Sequence, residues 1–222
     1  MNENMITTLS EGAALIGIRL GKAELDRFAT YHREILLWNR RINLISERSA
    51  QEIVIRHFLD SLTTAQFLER PTGALIDLGS GGGFPGIPLR IALPGLHLSL
   101  VEASRKKISF LSHVVRTLCL DRVQVINGRV EELTAGDAMA GRFDTLISRA
   151  AFKLPDLIRT ASFFLNPGGQ LIAMKGPDPH KEMEETEHFL DSTGMVFTAC
   201  RTVRLPGADL QRKIIIYNRV SR

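Results

Sequence analysis

The stretch Ala74-Leu75-Ile76-Asp77-Leu78-Gly79-Ser80-Gly81-Gly82-Gly83-Phe84-Pro85-Gly86 joins a short apolar run to a turn almost free of side chains. Ala74 to Leu78 has the length and apolarity of a strand buried in a parallel sheet. The glycines that follow remove the Cβ atoms, so the turn can take positive φ and a ligand can approach the backbone closely. Pro88 falls in the first turn of the helix predicted next, where a missing N–H costs nothing. Free N–H groups at that helix start would face a ligand, which is how α/β proteins cradle a nucleotide-like cofactor.

Two ligand classes compete for this turn. Gly81, Gly83 and Gly86 satisfy the dinucleotide pattern G-x-G-x-x-G, which glycine-rich loops meet easily. Asp77, Gly79, Gly81 and Gly83 also satisfy D-x-G-x-G-x-G, the loop of S-adenosylmethionine-dependent methyltransferases. Glu102 suits both, because it ends the next apolar strand, Leu96 to Val101, where an acid can accept hydrogen bonds from ribose hydroxyls. Its plain alternative is a charge complementing a helix N-terminus.

A chain of 222 residues holds one large domain, or one domain with an appendage, and buries a sizeable core. Hydrophobic residues at 44% and charged residues at 23% are ordinary globular values. Met1 to Leu15 carries Glu3 and Glu11, no basic cluster and no long apolar run, which argues against a signal peptide or a membrane span. Cys119, expected in a helix, and Cys200, expected in a strand, lack C-x-x-C spacing. They read as buried thiols of a reducing, cytoplasmic compartment. The net charge of +4 is uneven: residues 195–222 hold six cations, Arg201, Arg204, Arg212, Lys213, Arg219 and Arg222, against one acid. Such an edge suits a phosphate backbone, and a solvated basic terminus explains it equally well.

Leu25, Phe28, Tyr31, Ile35, Trp38 and Ile42 recur at steps of three and four, predicting a long amphipathic helix that ends near Asn43. Ser49 and Glu52 form a capping-box pattern for a second helix, with Val54, Phe58, Leu62 and Ala65 on one face. Strands and helices alternate from Ala74 to Met174, which predicts a doubly wound parallel sheet covered on both faces. After an acidic helix, Lys181 to Leu190, the strands Val196 to Val203 and Ile214 to Val220 read as an antiparallel pair. Residues 1–70 are expected to form a helical extension packed on the sheet of residues 71–222.

Several segments resemble one family, the bacterial small-subunit ribosomal RNA guanine-N7 methyltransferases, or glucose-inhibited division protein B family. They are Trp38-Asn39 with Asn43-Leu44, Arg56-His57 with Asp60-Ser61, Asp77 to Leu89, Arg129-Val130-Glu131-Glu132, Ser148-Arg149-Ala150 and Lys175-Gly176. The run Phe84-Pro85-Gly86-Ile87-Pro88-Leu89 is much more specific than the glycines before it. The resemblance covers roughly residues 25 to 220. It implies a Rossmann-like class I methyltransferase fold with an antiparallel last strand, and S-adenosylmethionine as cofactor. It further implies methyl transfer to N7 of a guanosine, guanosine 527, in 16S ribosomal RNA or the small ribosomal subunit, by a monomer acting without membrane or metal.

Residue by residue, the resemblance implies that Gly79 and Gly81 lie against the methionine portion of the cofactor and that Phe84 closes the loop over it; the plain alternative for Phe84 is a plug of the core beneath the loop. It gives Glu102 the ribose, and Ala103 and Ser104 the adenosine, although Ser104 alone reads as a helix N-cap. Val130 and Glu131 would stand beside the adenine, and a capping role is the alternative for Glu131. Arg149 follows the strand Thr145 to Ser148 at the ligand-binding edge and suits a cofactor carboxylate or an RNA phosphate. Lys175, Arg212 and Lys213 are the candidate RNA contacts.

Absences narrow the chemistry. An exocyclic amine acceptor usually goes with Asn or Asp followed by Pro-Pro-aromatic after the fourth strand, where this chain has Ser148-Arg149-Ala150. A 5-methylcytosine product needs a cysteine nucleophile at that edge, and Cys119 and Cys200 lie elsewhere in the sequence. Guanine N7 carries no proton, so no catalytic acid or base is assigned. His57 and Asp60, at i and i+3, read as a structural hydrogen-bonded pair, and the six histidines lack metal-ligand spacing. Two rivals stay open: a nicotinamide-dependent oxidoreductase, and a binding module that uses the fold without turnover.

Overall fold

The computed structural model describes residues 1–46 and 49–220. Arg222, counted above in the cationic terminus, lies outside the described residues.

Helix α1, Glu3–Leu15, begins at Asn2, whose side chain accepts the Met5 N–H at 2.9 Å. Within the expected helical extension no individual helix is predicted there, yet Asn2 followed by Met5, Leu9 and Ala13 carries both a cap and a buried face. Helix α2 is Lys22–Asn39, four residues shorter than its periodicity predicts. It stops because Asn39 turns its side chain onto the following loop: Oδ1 accepts the N–H groups of Leu44 and Ile45, and Nδ2 donates to Ile45 O.

The second predicted helix is interrupted. Ser49 caps α3, Ala50–Ile53, through Glu52 N–H as its pattern requires. A π-helix, Val54–Leu59, follows, then α4, Asp60–Leu62, and a 3-10 turn, Ala65–Phe67. Packing explains why the segment holds together: Phe58 stacks near Tyr31 and Phe28, and Gly12 of α1 lets Leu59 approach so closely that an added Cβ would lie 2.6 Å from it.

Strand β1, Ala74–Leu78, leads into α5, Gly86–Ala92; β2, His97–Glu102, into α6, Arg105–Thr117; and β3, Val123–Asn127, into the short α7, Val130–Thr134. Strand β4, Phe143–Arg149, precedes α8, Leu154–Phe164, which runs straight into β5, Leu165–Lys175. Helices α9, His180–Glu187, and α10, Leu190–Thr193, precede β6, Met195–Arg204, and β7, Gln211–Arg219.

The seven strands lie in the order β3-β2-β1-β4-β5-β7-β6. All neighbours are parallel except β7, which pairs antiparallel with both β5 and β6. The order therefore reverses between β1 and β4, where open α/β sheets leave a crevice at the strands' carboxyl ends. Alternation along the strands sends Leu75, Ile147, Ile172 and Ile214 to one face, where they join Leu9, Phe28 and Phe58 of the N-terminal helices in a single core. Ile76, Leu146, Leu171 and Ile215 meet α8 on the other face. Cys119 corrects its expectation: it is exposed, beyond the end of α6, with φ +49°. Cys200 is half-buried in β6.

Candidate cofactor and RNA cleft

Three adjoining cavities run along the carboxyl edge of the sheet. The first, of about 420 Å³, lies between β1, β2 and β3 and is lined by Gly79, Glu102, Ala103, Val130 and Glu131, together with Phe152 from the loop after β4. The second, of about 320 Å³, shares Gly79 with the first and adds Ile45, Arg56, Gly81, Arg149 and Arg212. The third, of about 410 Å³, continues past Ala150 to Met174 and Lys175. Eleven of the twelve sequence-predicted site residues thus lie on or beside one crevice, built by the carboxyl ends of β1 to β5 and the loops that follow them.

The glycine turn is held from both sides. Glu102 Oε2 accepts Gly81 N–H at 3.0 Å, and its Oε1 accepts Ser104 N–H at 2.8 Å. Ser104 is the N-cap of α6 without using its side chain. Gly79, Gly81 and Gly83 all have positive φ. From below, the buried Tyr31 hydroxyl donates to Gly82 O, and burial pushes that phenol well above its ordinary pKa. Asp77 Oδ2 accepts Gly86 N–H at 2.8 Å and so fixes the start of α5. Its other oxygen is buried without a partner, and burial pushes the carboxyl up to about 7.

Phe84, which borders the second cavity, takes the alternative of its two readings. Its side chain is buried, 3% exposed, stacked on His57 at 4.6 Å and near Tyr31 at 5.6 Å, so it plugs the core beneath the loop rather than closing over it. The apolar ring has more to gain in that aromatic cluster than at the rim.

Arg149 sits over Phe84, its guanidinium carbon 5.0 Å from the ring centre. Nη1 donates to Asp60 Oδ2 and to Arg56 O, both at 3.0 Å, and Nη2 donates to His57 Nδ1 at 2.7 Å. Arginine cannot accept, so His57 Nδ1 is the acceptor here. His57 and Asp60 are thus joined through Arg149, which corrects the reading of a direct pair. Arg212 Nε donates to the other Asp60 oxygen at 2.9 Å. Ala150, next to Arg149, holds φ +56°, a costly conformation for a residue with a Cβ.

The three cations proposed for RNA are not equivalent. Arg212 faces the crevice. Lys175 is buried, and its ammonium donates to Phe152 O and Glu182 Oε2, each at 2.7 Å, fastening the loop that lines the first cavity. Burial alone would raise the Glu182 carboxyl, but hydrogen bonds from Lys175 and Leu154 N–H hold it below its usual range. Lys213 alternates to the opposite face from Arg212 and donates to Thr202 Oγ1, so it does not join the cleft. Sequence reading did not identify Arg56, Phe152 or Lys107 as cleft residues, because each reaches the site through tertiary packing. Asn39 could have been found, since Trp38-Asn39 and Asn43-Leu44 flag the loop it pins.

Comparison with known proteins gives concordant results. The model of the family described as GidB, rRNA small subunit methyltransferase G, matches residues 24–213. Ribosomal RNA small subunit methyltransferase G of Syntrophus aciditrophicus is 45% identical over 94% of this chain and 87% of its own length. The protein of the same name from Geotalea uraniireducens is 38% identical over 100% of both. Among solved structures, Aeropyrum pernix fibrillarin with natively bound S-adenosyl-L-methionine superposes with a TM-score of 0.56 at 18% identity, covering 72% of this chain and 76% of that one. Geranyl diphosphate methyltransferase in complex with its cofactor gives 0.57 at 15% identity, over 79% of this chain and 93% of that one. At such identities the likeness is one of fold.

Proposed function

Since the chain belongs to the rRNA small subunit methyltransferase G (GidB) family, we propose that it transfers the methyl group of S-adenosylmethionine to N7 of a guanosine in 16S ribosomal RNA. The observation that carries this reading is the direct junction of two unlike cavities at the glycine turn. One is lined by the carboxylate of Glu102, the other by Arg56, Arg149 and Arg212. The first suits a nucleoside, and the second, where three guanidiniums gather, suits anions, namely the cofactor carboxylate and an RNA phosphate.

The residues present fit the cofactor. Glu102 uses two of its roughly four acceptor sites on backbone N–H groups, leaving the rest for ribose hydroxyls. A Cβ added at Gly81 would meet nothing nearer than Gly79 O at 3.9 Å, so the turn presents open backbone to the cleft. Ala103, Ser104, Val130 and Glu131 surround the adenosine in this placement, and Gly79 and Arg149 face the methionine end. When bound, the cofactor supplies an electrophilic sulfonium methyl. N7 offers a lone pair and no proton, so the chain needs no general base. Its task is alignment of nitrogen, methyl carbon and sulfur, which is worth roughly 7 to 11 kcal/mol when geometry is held. Tyr31, Asp77 and Glu102 hold the turn still for that purpose, and Arg212 receives the RNA.

The test is transfer of tritiated methyl from S-adenosylmethionine to unmodified 16S RNA and to small subunits. A fixed positive charge on the modified base makes it open to borohydride reduction and aniline scission, and digests should yield 7-methylguanosine, with guanosine 527 as the expected position. Label in 5-methylcytosine, N6-methyladenosine or a ribose methyl would overturn the acceptor while sparing the cofactor.

A further inference from the structure

Asp60 has 0% exposure and carries both of its oxygens against arginines from distant parts of the chain, Arg149 at 3.0 Å and Arg212 at 2.9 Å. Burying a carboxylate this deep is costly unless it is paired, and here two guanidiniums pair it. Both arginines keep donors to spare. Arg149 has used three of five N–H groups, on Asp60, Arg56 and His57. Arg212 has used only Nε, and its Nη groups have no other hydrogen-bond partner among the described residues. The cluster therefore presents two oriented forks that share one carboxylate.

The backbone is adapted to this arrangement. In a regular α-turn the Asp60 N–H would bond the Arg56 carbonyl; here it is shared between Ile55 O and His57 O, and Arg56 O accepts from Arg149. Single π-turns of this kind recur at functional sites. For stability alone, an apolar residue of similar volume serves as well as a buried ion triad.

We propose that Asp60 is a positioning residue that couples the two ends of the cleft, holding Arg149 for the carboxylate of the cofactor and Arg212 for a phosphate of the RNA. The inference rests on the placement of cofactor and RNA given above. Because one carboxylate orients both arginines, seating either anion orders the base on which the other fork stands. Each ligand then raises the affinity for the other by the same factor.

The experiment measures S-adenosylhomocysteine affinity by calorimetry, with and without a 16S RNA fragment, in the native chain and in Asp60→Asn. The amide presents N–H to one arginine and releases it. The native chain should bind S-adenosylhomocysteine about tenfold more tightly with RNA present, and the D60N factor should fall to about one. If D60N does not fold, the pair R212Q and D60N/R212Q removes the excess cation. Cofactor affinity should then drop about tenfold further in the double variant than in R212Q. Undiminished coupling in folded D60N, or equal affinity in that pair, would overturn the role of Asp60 alone. A native chain that binds neither ligand would overturn the functional reading and this proposal with it.

Discussion

Glu102 reaches back from the end of β2 to accept the Gly81 N–H at 3.0 Å, so the acid meant for the cofactor also shapes the turn that receives it. Replacing Glu102 with Ala should weaken S-adenosylmethionine binding by about 1.5 to 3 kcal/mol, the worth of a charged hydrogen bond. Glu102→Gln should retain part of the affinity, since the amide oxygen still accepts one N–H. Calorimetry decides, and equal affinity of native and E102A protein would remove Glu102 from the site.

Two glycines of the turn should fail differently. At Gly79, with φ +70°, an added Cβ would lie 2.5 Å from the Cβ of Ala151, so Gly79→Ala should lower Tm by roughly 2 to 8 °C. Gly81, with φ +57°, carries the same left-handed backbone strain, but its Cβ would meet only Gly79 O, at 3.9 Å. Gly81→Ala should accordingly lower Tm less than Gly79→Ala while still costing cofactor affinity. The opposite ranking in paired thermal and binding measurements would refute the placement of the ligand.

Burial raises the Asp77 carboxyl from an ordinary carboxylate value to about 7, so the folded chain holds a proton that the unfolded chain has already released. That contribution is fully present below about pH 4 and is lost as pH rises through 7, with a span of at most roughly 4 kcal/mol. Asp77→Asn keeps an acceptor for Gly86 N–H and does not titrate. Urea unfolding at pH 5 and pH 8 should show a smaller loss of stability in D77N than in the native chain. Equal losses would mean that Asp77 does not titrate in this window.

Arg212 faces the cleft while Lys213 is turned onto Thr202, and salt dependence should separate them. Arg212→Gln should reduce the slope of log K against log salt for RNA by about 0.7 to 0.9, one phosphate contact. Lys213→Gln should leave that slope within error. A larger effect from Lys213 would place the RNA on the other face of the terminal strands.

What could be read along the chain was local. The apolar run Ala74 to Leu78, the glycines after it, the next strand and its terminal Glu102 follow one another within 29 residues, so periodicity and turn chemistry report them directly. The alternation of elements gave the parallel sheet, because each pattern reflects which face its own segment buries. Tertiary structure alone decided the pairings across the chain. Tyr31 caps Gly82 from 51 residues away, and Asp60 joins Arg149 and Arg212 across 89 and 152 residues. It also separated Arg212 from Lys213 and put Phe84 beneath its loop. Charge and aromaticity mark such residues as polar or apolar, but the partner that satisfies each one is set by which surfaces the sheet order brings together.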